Sequence, residues 1–179
     1  MRLLTLLEIE NRVRDLARQV GAPDPILPTF GDSKDGARPH VEVDRVGRLH
    51  YVVVERGEEL ERNTTLELDE LLWQIFQHVT FSMACEFEVK HRVAHEDCRR
   101  LIFAKQVELL RILSPEWAKR EEGNHQAILE RHPFDDTSAA RARLTAALRE
   151  VGDSPEVAWQ KACERYPLPA APAKRNEDA

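Results

Sequence analysis

The 179-residue chain predicts an α+β fold: a mainly helical body with a small three-stranded antiparallel β-meander near residues 39–64. Two observations carry this expectation. Apolar residues alternate with polar ones only between about residues 39 and 64, whereas on either side they recur with helical spacing. In addition, Ser114-Pro115-Glu116 and Ser154-Pro155-Glu156 each combine an N-cap, an N1 proline and a first-turn acid, which is how a helix starts.

The elements follow in order. Leu6, Ile9, Val13, Leu16 and Val20 share one helical face within residues 2–20, and Gly21 with Pro23 supplies the stop. Residues 21–38 are rich in glycine and proline and read as a loop. In "HVEVDRVGRLHYVVVERGEELERNT", Val41 and Val43 alternate with Glu42 and Asp44, and Leu49–Val54 is β-branched. Gly47 and Gly57 sit where tight turns need positive φ, so strands are expected at about 39–46, 49–56 and 58–64. Three strands alone are marginal, so the sheet must lie against helices.

Thr64 with Glu67 forms a potential capping box for a long helix through "TTLELDELLWQIFQHVTFSMACEFEVKHRV". That helix is apolar around much of its circumference, as a central helix is. "EDCRRLIFAKQVELLRIL" gives the next helix, and others follow at about 115–131, 138–151 and 155–165. The expected organisation is one domain over residues 1–166 and a disordered tail over 167–179, "PLPAAPAKRNEDA".

Bulk chemistry narrows the function classes. A net charge of −6 argues against a general nucleic-acid binder, which would carry a basic stripe, and is compatible with a basic protein partner. Cys85, Cys98 and Cys163 are an odd set that makes no disulfide framework, so a reducing, cytoplasmic setting is expected. Glu8 and Glu10 interrupt the leucine-rich start, so it does not read as a secretory leader. No apolar run approaches the ~18 residues of a membrane span.

The stretch "FSMACEFEVKHRVAHEDCRR", residues 81–100, holds the densest collection of chemical groups. His91 and His95 at i, i+4, with Cys98 beyond, would offer ligands to zinc if one helix carried them all. A helix break near Ala94–Glu96 is expected instead, and neither a His-Glu-x-x-His nor a Pro-Cys-x-x-Cys pattern is present. Gly-x-Ser-x-Gly and phosphate-cradling glycine motifs are missing too. Glu86 and Glu88, two residues apart, point to different sides of a helix and make no carboxylate dyad. No catalytic, cofactor or metal residue is therefore assigned. Ion pairs Glu88–Arg92 and Arg92–Glu96 are expected. The charges of Glu55, Arg56, Glu58 and Arg62 are expected to tie the hairpin to Asp97, Arg99 or Arg100.

The segments "YVVVERGEELERNTTLELDELLWQIFQHVTFSMACEFEVKHRV", "DCRRLIFAKQVELL", "PEWAKR" and "HPFDD" together resemble immunity protein family 63 of bacterial polymorphic-toxin systems, over roughly residues 49–136. The residues that carry the resemblance, in structural or toxin-binding roles, are Tyr51, Glu55, Arg56, Gly57, Glu58, Arg62, Thr64, Glu88, Arg92, Asp97, Arg99, Arg100, Phe103 and Gln106. The resemblance implies a small cytoplasmic protein that binds a cognate toxin domain and blocks it, without catalysis and without a cofactor. The acidic balance makes a basic nuclease toxin the better-matched partner, with no nucleic acid or membrane engaged. Two other classes stand beside this one: a small metal-dependent enzyme on His91, His95 and Cys98, and an adaptor module with an unrelated protein partner.

Overall fold

The structure, a computed structural model, describes residues 3–170. Among these are six α-helices and one four-stranded mixed sheet. The helices are α1 (Leu6–Val20), α2 (Leu68–His91), α3 (Arg99–Leu113), α4 (Pro115–Arg131), α5 (Ser138–Glu150) and α6 (Pro155–Arg165). The strands are β1 (Thr29–Phe30), β2 (Pro39–Val43), β3 (Leu49–Glu55) and β4 (Glu58–Thr65), in that order across the sheet. The α+β class is as expected, and β2, β3 and β4 form the antiparallel meander.

The sheet is nevertheless mixed, because β1 joins the outer side of β2 in parallel, Thr29 opposite His40. Two residues are too few to show a period, so the glycine- and proline-rich loop hides a strand. Gly31 completes it by donating its N–H to the Val41 carbonyl at 2.8 Å.

Each turn has a local cause. Arg56 and Gly57 both take positive φ, 53° and 79°, which the two-residue turn of a tight hairpin requires. Asp44 folds the β2–β3 turn by accepting the Val46 and Arg48 N–H groups on Oδ1 and the Arg48 guanidinium on Oδ2. Thr5 caps α1 in a capping box with Glu8, and Gly21 ends that helix in the left-handed region. Ser114 and Ser154 cap α4 and α6 as their sequences predict. The box expected at Thr64–Glu67 does not form. β4 runs on to Thr65, so the Thr64 hydroxyl faces His50 at 2.8 Å and Glu67 becomes the N-cap without a side-chain bond.

The core lies between one face of the sheet and the helices. Ile9, Val13 and Leu16 of α1 meet Val41, Leu49 and Tyr51 of the sheet and Leu71, Ile75, Phe76 and Val79 of α2. Leu110 of α3 and Trp117 of α4 close it, the Trp117 ring stacked at 6.2 Å on Phe76. Full burial of a side chain such as Phe76 contributes about 1.5–3 kcal/mol. α5 and α6 pack mainly on each other and bury only Arg141, Ala158 and Ala162. No described helix is long and apolar enough to cross a membrane. Of the tail expected to be disordered, residues 171–179 lie outside the described residues, while the Pro167 carbonyl accepts a hydrogen bond from Arg141 at 3.1 Å.

Candidate functional site

The predicted residues fall into three groups. The first is the β3–β4 hairpin. Tyr51 points into the core, where burial raises its hydroxyl pKa. Arg56, Gly57 and Glu58 stand exposed at the hairpin tip, and Glu55 is half-buried beside them with its carboxylate 4.0 Å from Arg56. Arg62 lies on the outer face of the sheet between Glu59 at 2.7 Å and Glu42 at 2.8 Å, and its guanidinium holds both carboxylates. Both carboxylates titrate below their ordinary value, chiefly because Arg62 donates to them.

The second group is at the α2–α3 connection. α2 ends at His91, and His95 sits in a turn with φ of 73°. The break expected near Ala94–Glu96 therefore separates His91 from His95 and Cys98, so the three do not share one helical face. Among the described residues no three His, Cys, Asp or Glu side chains gather as metal ligands. Glu88 forms its expected pair with Arg92 through two bonds at 2.8 and 2.9 Å.

Asp97 is buried and organises this connection. Its carboxylate accepts the Arg99 guanidinium, the Arg99 N–H at 2.9 Å and the Asp135 N–H at 2.8 Å. Burial opposes its ionisation, but those donors outweigh burial and leave its pKa below normal. Arg99 also reaches the carbonyls of His132 and Pro133, at 2.8 and 2.9 Å. Arg100 grips Asp136 with two bonds of 2.8 Å and lies over the Phe134 ring, 4.2 Å from its centre. The Arg100 guanidinium, with the Asp97 N–H, brings the Asp136 pKa down to about 2. The pairing expected between these residues and the hairpin is thus redirected: Asp97, Arg99 and Arg100 fasten the 132–137 segment. Asp135 passes the chain of bonds on to the buried guanidinium of Arg141, which in turn holds the Tyr166 carbonyl at 2.8 Å.

The third group is buried between α2, α3 and α4. Gln106 donates to the Gln77 carbonyl at 3.0 Å and faces His125 Nε2 with its side-chain oxygen at 3.1 Å. His125 Nε2 lies 3.2 Å from Glu121, whose carboxylate also accepts Asn124 at 2.9 Å and Gln77 at 3.3 Å. Phe103 stacks on the His125 ring with centres 3.8 Å apart. A cavity of about 170 Å³ opens beside this network, bordered outside by Phe81 and Ile128. Burial pushes the Glu121 pKa up, but the bonds from His125 and Asn124 prevail and keep it lowered.

Sequence reasoning named Phe103 and Gln106 and missed Glu121 and His125. Their i, i+4 spacing on the face of α4 that also carries Trp117 and Ala118 was the available signal. It also missed Asp135, Asp136 and Arg141 as individual residues, although "HPFDD" was singled out as a segment.

The geometry combines an α+β fold with an exposed acidic hairpin, an ion-pair network organised by the buried Asp97 and Arg141, and a buried polar network at Gln106, His125 and Glu121. The model of a family described as Immunity protein 63 matches residues 45–127, from the β2–β3 turn to near the end of α4. The resemblance to immunity protein family 63 is thereby borne out over the sheet's second half and the central helices. Neither a curated protein nor a solved structure matches the chain.

Proposed function

We propose that this chain is an immunity protein: it binds one cognate toxin domain in the bacterial cytoplasm and blocks it stoichiometrically, without turning anything over. The match of residues 45–127 to the Immunity protein 63 family carries this reading. The physical chemistry supports it in two ways. Several of the residues that carry the resemblance, among them Asp97, Arg99, Arg100 and Gln106, are fixed by side-chain bonds, which is what a pre-organised binding surface needs to keep its entropy cost low. The net charge of −6, with Glu58 and Glu61 exposed on one hairpin, favours a basic partner through steering. A basic nuclease domain is the partner class that fits this field.

Co-expression with the toxin domain encoded beside the gene tests the reading. Rescue of growth at equimolar expression, with a one-to-one complex on a sizing column, is the expected result. Rescue at far sub-stoichiometric levels overturns it in favour of an enzyme that modifies the toxin, and failure to form a complex overturns it outright.

A further inference from the structure

We propose that the cavity between α2, α3 and α4 receives the guanidinium of one arginine from the bound protein partner. The inference rests on the reading of this chain as a toxin-binding protein and specifies where that partner anchors.

Size comes first. At about 170 Å³ the cavity is well below the roughly 300–1,000 Å³ of sites that enclose whole small molecules, but it suits the end of one side chain. Polarity comes second. Glu121 is only 3% exposed, and no lysine or arginine lines the cavity around it. A buried carboxylate is ordinarily matched by a full cation.

Acceptors also outnumber donors. The side-chain oxygens of Gln106 and Glu121 converge on one nitrogen, His125 Nε2, at 3.1 and 3.2 Å. That nitrogen carries at most one hydrogen, and Asn124 and Gln77 add two more donors at Glu121, so three donors meet the roughly six lone-pair sites of the carboxylate and the amide oxygen. The missing complement is a group with several donors and no acceptor, which describes guanidinium.

Shape comes third. Phe103 and His125, stacked only 6° from parallel, both line the cavity, so a planar guanidinium entering it packs against aromatic side chains. The mouth is flanked by Phe81 and Ile128, large apolar side chains left 44% and 42% exposed. Apolar groups around a charged anchor exclude water from it once a partner is seated, which is the arrangement of an interface hot spot.

The test is a titration of the full chain with arginine ethyl ester, followed by side-chain NMR of Phe81, Phe103 and Gln106. Norleucine ethyl ester, with a similar stem and no guanidinium, is the control. Arginine ester is expected to saturate with a dissociation constant on the order of 1 mM, while the norleucine ester gives no saturable shift. Glu121→Gln, isosteric and uncharged, is expected to weaken the arginine ester at least about tenfold, a loss of roughly 1.4 kcal/mol. Phe81→Ala, at the exposed rim and compatible with folding, is expected to weaken it as well and keeps the test open should Glu121→Gln fail to fold. Equal response to both esters, or arginine binding unchanged in both variants, overturns the proposal. The toxin domain provides the second arm. If it binds wild type and both variants equally tightly, the cavity proposal falls and the immunity reading stands. If it does not bind at all while the ester saturates, the immunity reading falls and with it the partner assigned to the cavity.

Discussion

Asp97 and Glu58 look alike in the sequence, two carboxylates among arginines, yet the fold gives them unlike work. Asp97 is buried and accepts two backbone N–H groups and a guanidinium, whereas Glu58 is exposed at the hairpin. Asp97→Ala leaves the Asp135 N–H without its acceptor inside the protein and frees Arg99 from its charge partner. The expected loss is about 2–3 kcal/mol in chemical denaturation, because bonds to charged groups are the costly ones to break. Glu58→Ala is expected to stay within roughly 0.5 kcal/mol. The same network sets an acid limit. An unfolded aspartate titrates near roughly 3.9, and Asp136 in the fold titrates at about 2. The folded state therefore holds the proton less tightly, so this contribution is complete above pH ~4 and fades as pH falls toward 2. Thermal melts between pH 5 and 2 should show a steeper fall for wild type than for Asp136→Asn. Parallel curves would remove the Arg100–Asp136 pair from the account. The charges and their local spacing were legible in the sequence. Their partners were not, since Asp136 lies 36 residues beyond Arg100 and a one-dimensional pattern carries no signal for that contact.

Elements with strong local signals emerged where their periodicity and caps placed them. α4 and α6 begin at the prolines after Ser114 and Ser154, and α1 ends at Gly21. The misses occur where two local rules compete or where an element is too short to have a period. Thr64 has capping chemistry but was taken up by β4, and β1 has two residues. The helices also differ in how deeply they are held. α2 buries eight residues, including Leu71, Ile75 and Phe76, whereas α5 and α6 together bury three, two of them alanines. The α5–α6 pair is anchored through polar bonds such as Arg141 to Asp135 and to the Tyr166 carbonyl. Local opening is cheapest where apolar burial is least. Native-state hydrogen exchange should therefore find α5 and α6 amides protected far less than those of α2, with the gap widening in Arg141→Ala. Equal protection across all six helices would contradict this ranking.

For the whole molecule, a sequence of this length fixes a fold class more readily than a partner. The meander, the central helix and the resemblance read over roughly residues 49–136, of which the family model matches 45–127, were readable because each depends on residues near one another in the chain. The buried Gln106–His125–Glu121 network was not, because it joins side chains of α3 and α4 that only tertiary packing aligns. That distinction also divides the expected behaviour of a toxin complex. A stable specific interface buries about 1,200–2,000 Å² in total, with a few desolvated anchors at its centre and charges at its rim. Under the proposed toxin-binding reading, the exposed glutamates of the β3–β4 hairpin would supply the rim, and the net charge of −6 the long-range field. Screening acts over roughly 8 Å at physiological ionic strength, so it weakens attraction during approach more than contacts already formed. Association with a basic toxin domain should therefore slow as salt rises, and Glu58→Lys with Glu61→Lys should slow it further while leaving dissociation nearly unchanged. Phe81→Ala should do the reverse, speeding dissociation with little effect on association. Stopped-flow association at two salt concentrations, with dissociation by competitor chase, separates the two effects. Hairpin charge reversals that change only the dissociation rate would show that the hairpin belongs to the buried centre of the interface.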